Sequence, residues 1–140
     1  MTDPHQKKTL TFALMDPPFE NARTATAMRL VDAAIRLGHN VKIFAYEGSV
    51  FLPFARQTPH ANAVRGHSSE EENHPLTKEW ILSLMAKAAA QGSTMEWANC
   101  GLCVDERGAQ EAVPGVRRGS PTDLLQFAST SDNTLVIATR

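Results

Sequence analysis

The chain has 140 residues, 42% hydrophobic and 21% charged, with a formal net charge of −1. That length supports one domain with a real core and argues against two independent cores or wholesale disorder. The small charge gives no electrostatic case for nucleic acid or a membrane surface as main partner, and no apolar run approaches the roughly 20 residues that span a bilayer.

Lys7 and Lys8 precede Leu10-Thr11-Phe12-Ala13-Leu14-Met15, a faint mimic of a signal peptide. Asp16-Pro17-Pro18 cuts that run short and no small-residue cleavage site follows, so residues 9–15 are expected to form a buried first strand. From Asn21 to Leu37 apolar residues recur at helical spacing: Ala27, Leu30, Ala34 and Leu37, with Met28, Val31 and Ile35 beside them. Gly38 is the expected C-terminal cap. Residues 40–46 read as a second strand, which makes a right-handed βαβ unit with parallel strands. Residues 48–55 fit a short helix or an apolar lip. The polar stretch 57–75, with His60, His67, His74 and Glu70-Glu71-Glu72, is expected to be a mobile loop insertion.

A helix is expected from Thr77 to about Gln91, with Trp80/Ile81, Leu84/Met85 and Ala88 on one face and Gly92 closing it. Residues 94–99 read as a third strand, and helix is expected again from about Val104. Ser120-Pro121-Thr122-Asp123 has the composition of an N-cap with proline at the first helical position, followed by an apolar face of Leu124, Leu125, Phe127 and Ala128. Residues 134–138 form the expected last strand. Strand and helix alternate throughout, so the class is α/β with a mostly parallel sheet in a single domain over residues 1–140.

The only two cysteines stand in Cys100-Gly101-Leu102-Cys103-Val104-Asp105-Glu106-Arg107-Gly108, just after the third strand. Sites gather at that C-terminal edge in open α/β sheets, and a strand-to-helix turn can offer backbone N–H groups to a thiolate. A reducing cytoplasm is the default setting, and there a close pair is more often chemical than a structural staple. Four readings stay open from spacing alone: a persulfide-carrying nucleophile, a thiol-disulfide redox pair, half of a zinc site completed by the loop histidines, or small residues packing a turn. Arg107 lies close enough in sequence to lower a thiol pKa or bind an anionic donor such as thiosulfate, or to be a surface charge paired with Asp105 or Glu106. Asp16 shares the sheet edge but reads first as a strand-terminating acid. Asp16-Pro17-Pro18-Phe19-Glu20-Asn21 lacks the glycines of a phosphate loop.

The segment Asn99 to Gly108, with the expected order of elements around it, resembles the DsrE/DsrF-like family, which includes the TusD-type sulfur-relay proteins. The resemblance implies a flavodoxin-like three-layer α/β domain that assembles into homo- or hetero-oligomers, often trimers or hexamers, and needs neither a metal nor an organic cofactor. It implies that Cys100, seven positions before Arg107, carries sulfur and exchanges it with TusA-like or DsrC-like carrier proteins. Cys103 is then an additional thiol that assists or resolves, and Arg107 orients an anionic donor. The expected function is sulfurtransferase-like trafficking of sulfane sulfur in the cytoplasm. The alternatives are a thiol-disulfide redox protein or a non-catalytic oligomeric subunit that docks partners through the sheet edge and the 57–75 loop.

Overall fold

The computed structural model describes residues 6–20, 22–59 and 76–137. Runs rich in β-branched and aromatic residues become strands, and amphipathic runs between them become helices. Strand β1 (Thr9–Leu14) is followed by α1 (Ala22–Arg36) and β2 (Asn40–Ala45), then by a 3-10 turn at Glu47–Phe51. Helix α2 (Thr77–Ala90), β3 (Met95–Cys100) and α3 (Gly101–Arg107) come next. Strand β4 (Val116–Gly119), α4 (Pro121–Ser129) and β5 (Asn133–Ile137) close the fold. The five strands form one sheet in the order β4-β3-β2-β1-β5, with every neighbouring pair parallel. This is the α/β, flavodoxin-like arrangement expected from the sequence.

Period-2 alternation splits the strands between two cores. Phe12, Leu14, Val41, Ile43, Ala45 and Trp97 pack against α1 and α2 in the main core. Phe44, Ala98 and Cys100 point to the other side and pack with Phe127 of α4. Helix α1 buries Thr24, Ala27, Met28, Val31, Ala34 and Ile35, and Gly38 caps the turn beyond it at φ +87°. Leu30 and Leu37, expected on that face, are exposed, because Leu30 sits on the helix flank and Leu37 lies past the last turn.

Three local readings are corrected. Helix α3 begins at Gly101, so Cys103 lies inside its first turn rather than ahead of it. Strand β4 was not foreseen: Val116-Arg117-Arg118-Gly119 offers a single apolar residue, and an edge strand needs little more to pair with β3. Of the expected apolar face of α4, only Phe127 is buried and Leu125 is exposed. The α4 start is as read, with the Asp123 carboxylate accepting the Ser120 N–H at 2.8 Å. Most of the 57–75 stretch, including its three histidines and its acidic run, lies outside the described residues. Among the described residues, no helix is long and apolar enough to cross a membrane.

The end of β3 is fixed by a buried polar chain. Trp97 Nε1 donates to Asn99 Oδ1 at 2.9 Å, and Asn99 Nδ2 donates to the Val50 carbonyl at 3.1 Å. Both side chains are almost wholly buried, so each bond satisfies a group that water cannot reach. Substituting Asn99→Ala orphans the indole N–H and the Val50 carbonyl. It should lower unfolding free energy by about 3 kcal/mol in denaturant titration.

Candidate functional site

Cys100 is the last residue of β3 and the N-cap of α3, and Cys103 is in the first turn of that helix. Both thiols are free, Cys100 buried and Cys103 partly exposed. Each packs in the cluster of Phe44, Ala98 and Phe127, with Tyr46 and Leu124 at its margin. Cys103 also touches Val50, Val104 and Ala109. The two thiols therefore lie at the C-terminal edge of the sheet, where the sequence led one to expect them.

The 3-10 turn completes the site. Its Glu47 N–H points at Cys103 Sγ, 3.1 Å away. Glu47 adopts φ +51°, a left-handed conformation that costs a non-glycine residue roughly 1–3 kcal/mol. Ser49 holds the turn in place, its hydroxyl donating to the Leu14 carbonyl at 2.5 Å and its N–H to the Met15 carbonyl at 3.1 Å. The Asn99–Val50 bond ties the same turn to β3. The ends of β1, β2 and β3 thus share one connection.

Burial pushes the Cys103 thiol above its ordinary pKa; the Glu47 N–H pulls it back, the Cys100 thiol raises it again, and Arg107 lowers it. The net direction is up, so Cys103 is a protonated thiol near neutral pH and not the activated thiolate that the Cys-x-x-Cys spacing suggests. Arg107 therefore acts on Cys103, while its guanidinium also lies 3.7 Å from the Glu106 carboxylate.

The cation at the Cys100 end is one that the sequence reading missed. Arg118 stands on β4 opposite Asn99, one step from the Cys100–Gly119 pair. Its guanidinium lies over Gly101, where a Cβ would meet its Nε at 2.6 Å. It makes two hydrogen bonds to the Asp105 carboxylate, at 2.6 and 3.0 Å, and carries an electrostatic interaction with Cys100. That ion pair holds the Asp105 carboxyl below the usual carboxylate range. Reading Val116–Gly119 as an edge strand beside β3 is the step that would have located Arg118. The neighbouring Arg117 points to the opposite face, bonded to Glu96 and Asp123 and set over the Phe127 ring.

Asp16 lies apart from the thiols, in a small cleft lined by Leu14, Arg23, Thr24, Ala27, Leu52 and Ile137, with its Oδ2 3.7 Å from Arg23 Nη1. Among the described residues, no three of His, Cys, Asp and Glu gather into a group that could hold a metal ion.

Residues 8–137 match the family model described as the DsrE/DsrF-like family. The uncharacterized protein MK0008 of Methanopyrus kandleri is 28% identical over 137 residues, covering 96% of this chain and 98% of that one. The uncharacterized protein MJ0989 of Methanocaldococcus jannaschii is 27% identical over 125 residues, covering 88% and 94%. The crystal structure of the ychN protein from E. coli shares the fold, with a TM-score of 0.69, 18% identity, and coverage of 94% of this chain and 99% of that chain.

The raised Cys103 pKa has a measurable sign. In a Cys100→Ala variant the hydrogen-bonding and electrostatic influences of the Cys100 thiol, both raising, are gone, so the pH midpoint of Cys103 alkylation should fall. In Arg107→Gln a lowering influence is gone, and the midpoint should rise. Rates of iodoacetamide labelling, followed by mass spectrometry between pH values of about 6 and 11, report both shifts around the ordinary cysteine value.

Proposed function

The chain belongs to the DsrE/DsrF-like family, whose membership suggests a sulfur-relay-type role, and we propose that it accepts a sulfane sulfur on Cys100 and passes it to a partner thiol. The observation that carries this reading is two free thiols side by side where an interior parallel strand runs into a helix. With thiosulfate as donor, the Cys100 thiolate attacks the outer sulfur. The S–S bond breaks and sulfite leaves with the electron pair, so that Cys100 holds a persulfide. With tetrathionate, Cys100 takes a thiosulfonate group and thiosulfate leaves. A partner thiolate then attacks the outer sulfur of the persulfide, becomes a persulfide itself, and returns Cys100 as a thiolate.

Cys103 assists. A protonated thiol is a poor nucleophile, so it is slow to attack loaded Cys100, expel hydrosulfide and close an internal disulfide. The persulfide outlasts that side reaction and remains available for transfer. This physical ordering favours relay over thiol-disulfide redox. Arg107, on the Cys103 side of the pair, orients an anionic donor. The chain acts as one domain in a homo-oligomer, a trimer or hexamer, within a cytoplasmic relay that includes TusA-like or DsrC-like carriers. Exposed Leu125 and Val136 support a surface that is covered in the assembly.

Incubation with polysulfide, thiosulfate or tetrathionate followed by intact-mass measurement tests the loading step. Added sulfur on the native chain and none on Cys100→Ser is the expected result. An adduct that survives Cys100→Ser unchanged assigns the chemistry elsewhere, and no adduct with any donor removes the reading.

A further inference from the structure

The Arg118–Asp105 pair is built against the residue that follows Cys100, yet neither partner is needed for packing: their side chains are 56% and 54% exposed. Three features mark it as more than a surface contact. Gly101 leaves the space that the guanidinium occupies, since any Cβ there would collide with Nε, Cζ and Nη2. The β3–β4 register fixes Arg118 beside the end of β3. Arg118 also interacts electrostatically with Cys100, whereas Arg107 acts on Cys103. Each arginine near the thiols has an acidic partner: Asp105 on Arg118 and Glu106 on Arg107. In the resting state Asp105 neutralises Arg118, so the Cys100 end carries no free positive charge from this pair.

An exposed ion pair exchanges readily, because water screens it and offers alternative partners. A planar guanidinium binds a sulfonate or carboxylate with the same two-pronged geometry that it uses on Asp105. We propose that Arg118 selects anionic sulfur donors by exchanging the Asp105 carboxylate for the sulfonate end of a thiosulfonate-type donor while the donor's sulfane sulfur reaches Cys100. Arg118 then holds the oxygens of the sulfite that departs when Cys100 attacks. Neutral organic trisulfides gain nothing from this contact. The inference rests on Cys100 being the acceptor, and its test does not require sulfur transfer.

The probes are iodoacetate and iodoacetamide, which alkylate the same sulfur and differ in charge, applied to Cys100 in a Cys103→Ser background. The readout is the ratio of the anionic to the neutral rate. Asp105→Asn should raise it and Arg118→Gln should lower it, by about tenfold for a charged hydrogen-bond pair. Arg118→Gln also leaves Asp105 as a free negative charge, so the deciding variant is Arg118→Gln with Asp105→Asn, which restores the neutral balance of the native pair. A ratio below the native one in this double variant supports direct contact with the anion. A ratio equal to the native one reduces Arg118 to a bulk charge and overturns the proposal. Gly101→Ala, which keeps the charge but pushes the guanidinium aside, should lower the ratio as well, and an unchanged ratio there contradicts the geometry. In the same variants, Arg118→Gln should raise KM for thiosulfate loading and leave neutral trisulfide loading unmoved. A changed alkylation ratio with no sulfur loading in any variant would sink the relay reading while leaving the anion contact standing.

Discussion

The buried Asn99 side chain is the constraint on which the site depends. It joins the Trp97 indole in the main core to the Val50 carbonyl in the 3-10 turn, and it sits directly before Cys100. A buried amide with both ends paired has one acceptable position, because any displacement strands a polar group away from water. The turn is thereby held against the end of β3, and its Glu47 N–H is held at Cys103 Sγ. Ser49 extends the connection to the end of β1. A thiol on a strand end would otherwise be only as well placed as the loop beside it. Here the loop is fastened to two strands, and Glu47 is kept in a strained backbone conformation that a free loop would relax.

The two cysteines are neighbours in sequence and unequal in surroundings. Cys103, the more exposed of the two, packs against two apolar clusters, and desolvation outweighs the N–H and the arginine that favour its thiolate. Cys100 ends a strand beside Gly101, under the reach of Arg118. The difference follows from the strand-to-helix junction, which leaves one sulfur at the sheet edge and turns the other toward the 3-10 turn. A pair built for disulfide exchange needs the second thiol ready to attack, and the raised pKa of Cys103 works against that. A carrier benefits from a second thiol that stays protonated.

Most of the architecture is legible in the sequence because the strands on β1, β2 and β3 are apolar enough to announce themselves and glycines mark the helix ends. The position of Cys100 follows from that reading, since a motif after the third strand must fall on the C-terminal edge of a parallel sheet. What was hidden is whatever depends on pairing across strands. Val116-Arg117-Arg118-Gly119 has too little apolar content to read as a strand, so the arginine beside Cys100 could not be found by counting along the chain. Proximity in sequence points to Arg107, which lowers the Cys103 pKa, while the cation that interacts with Cys100 is Arg118. The exposure of Leu125 was equally invisible, because helical spacing reports that a face is apolar and not whether this chain alone covers it.

The central claim is that sulfur held on Cys100 is mobile toward another thiol. The direct measurement loads the native chain with polysulfide, removes excess donor, adds a small acceptor thiol, and follows both masses over time. The account predicts that the added sulfur leaves the protein and appears as a persulfide on the acceptor, with the chain returning to two free thiols. Sulfur released as hydrosulfide with a Cys100–Cys103 disulfide left behind, or sulfur retained on the chain, would contradict it.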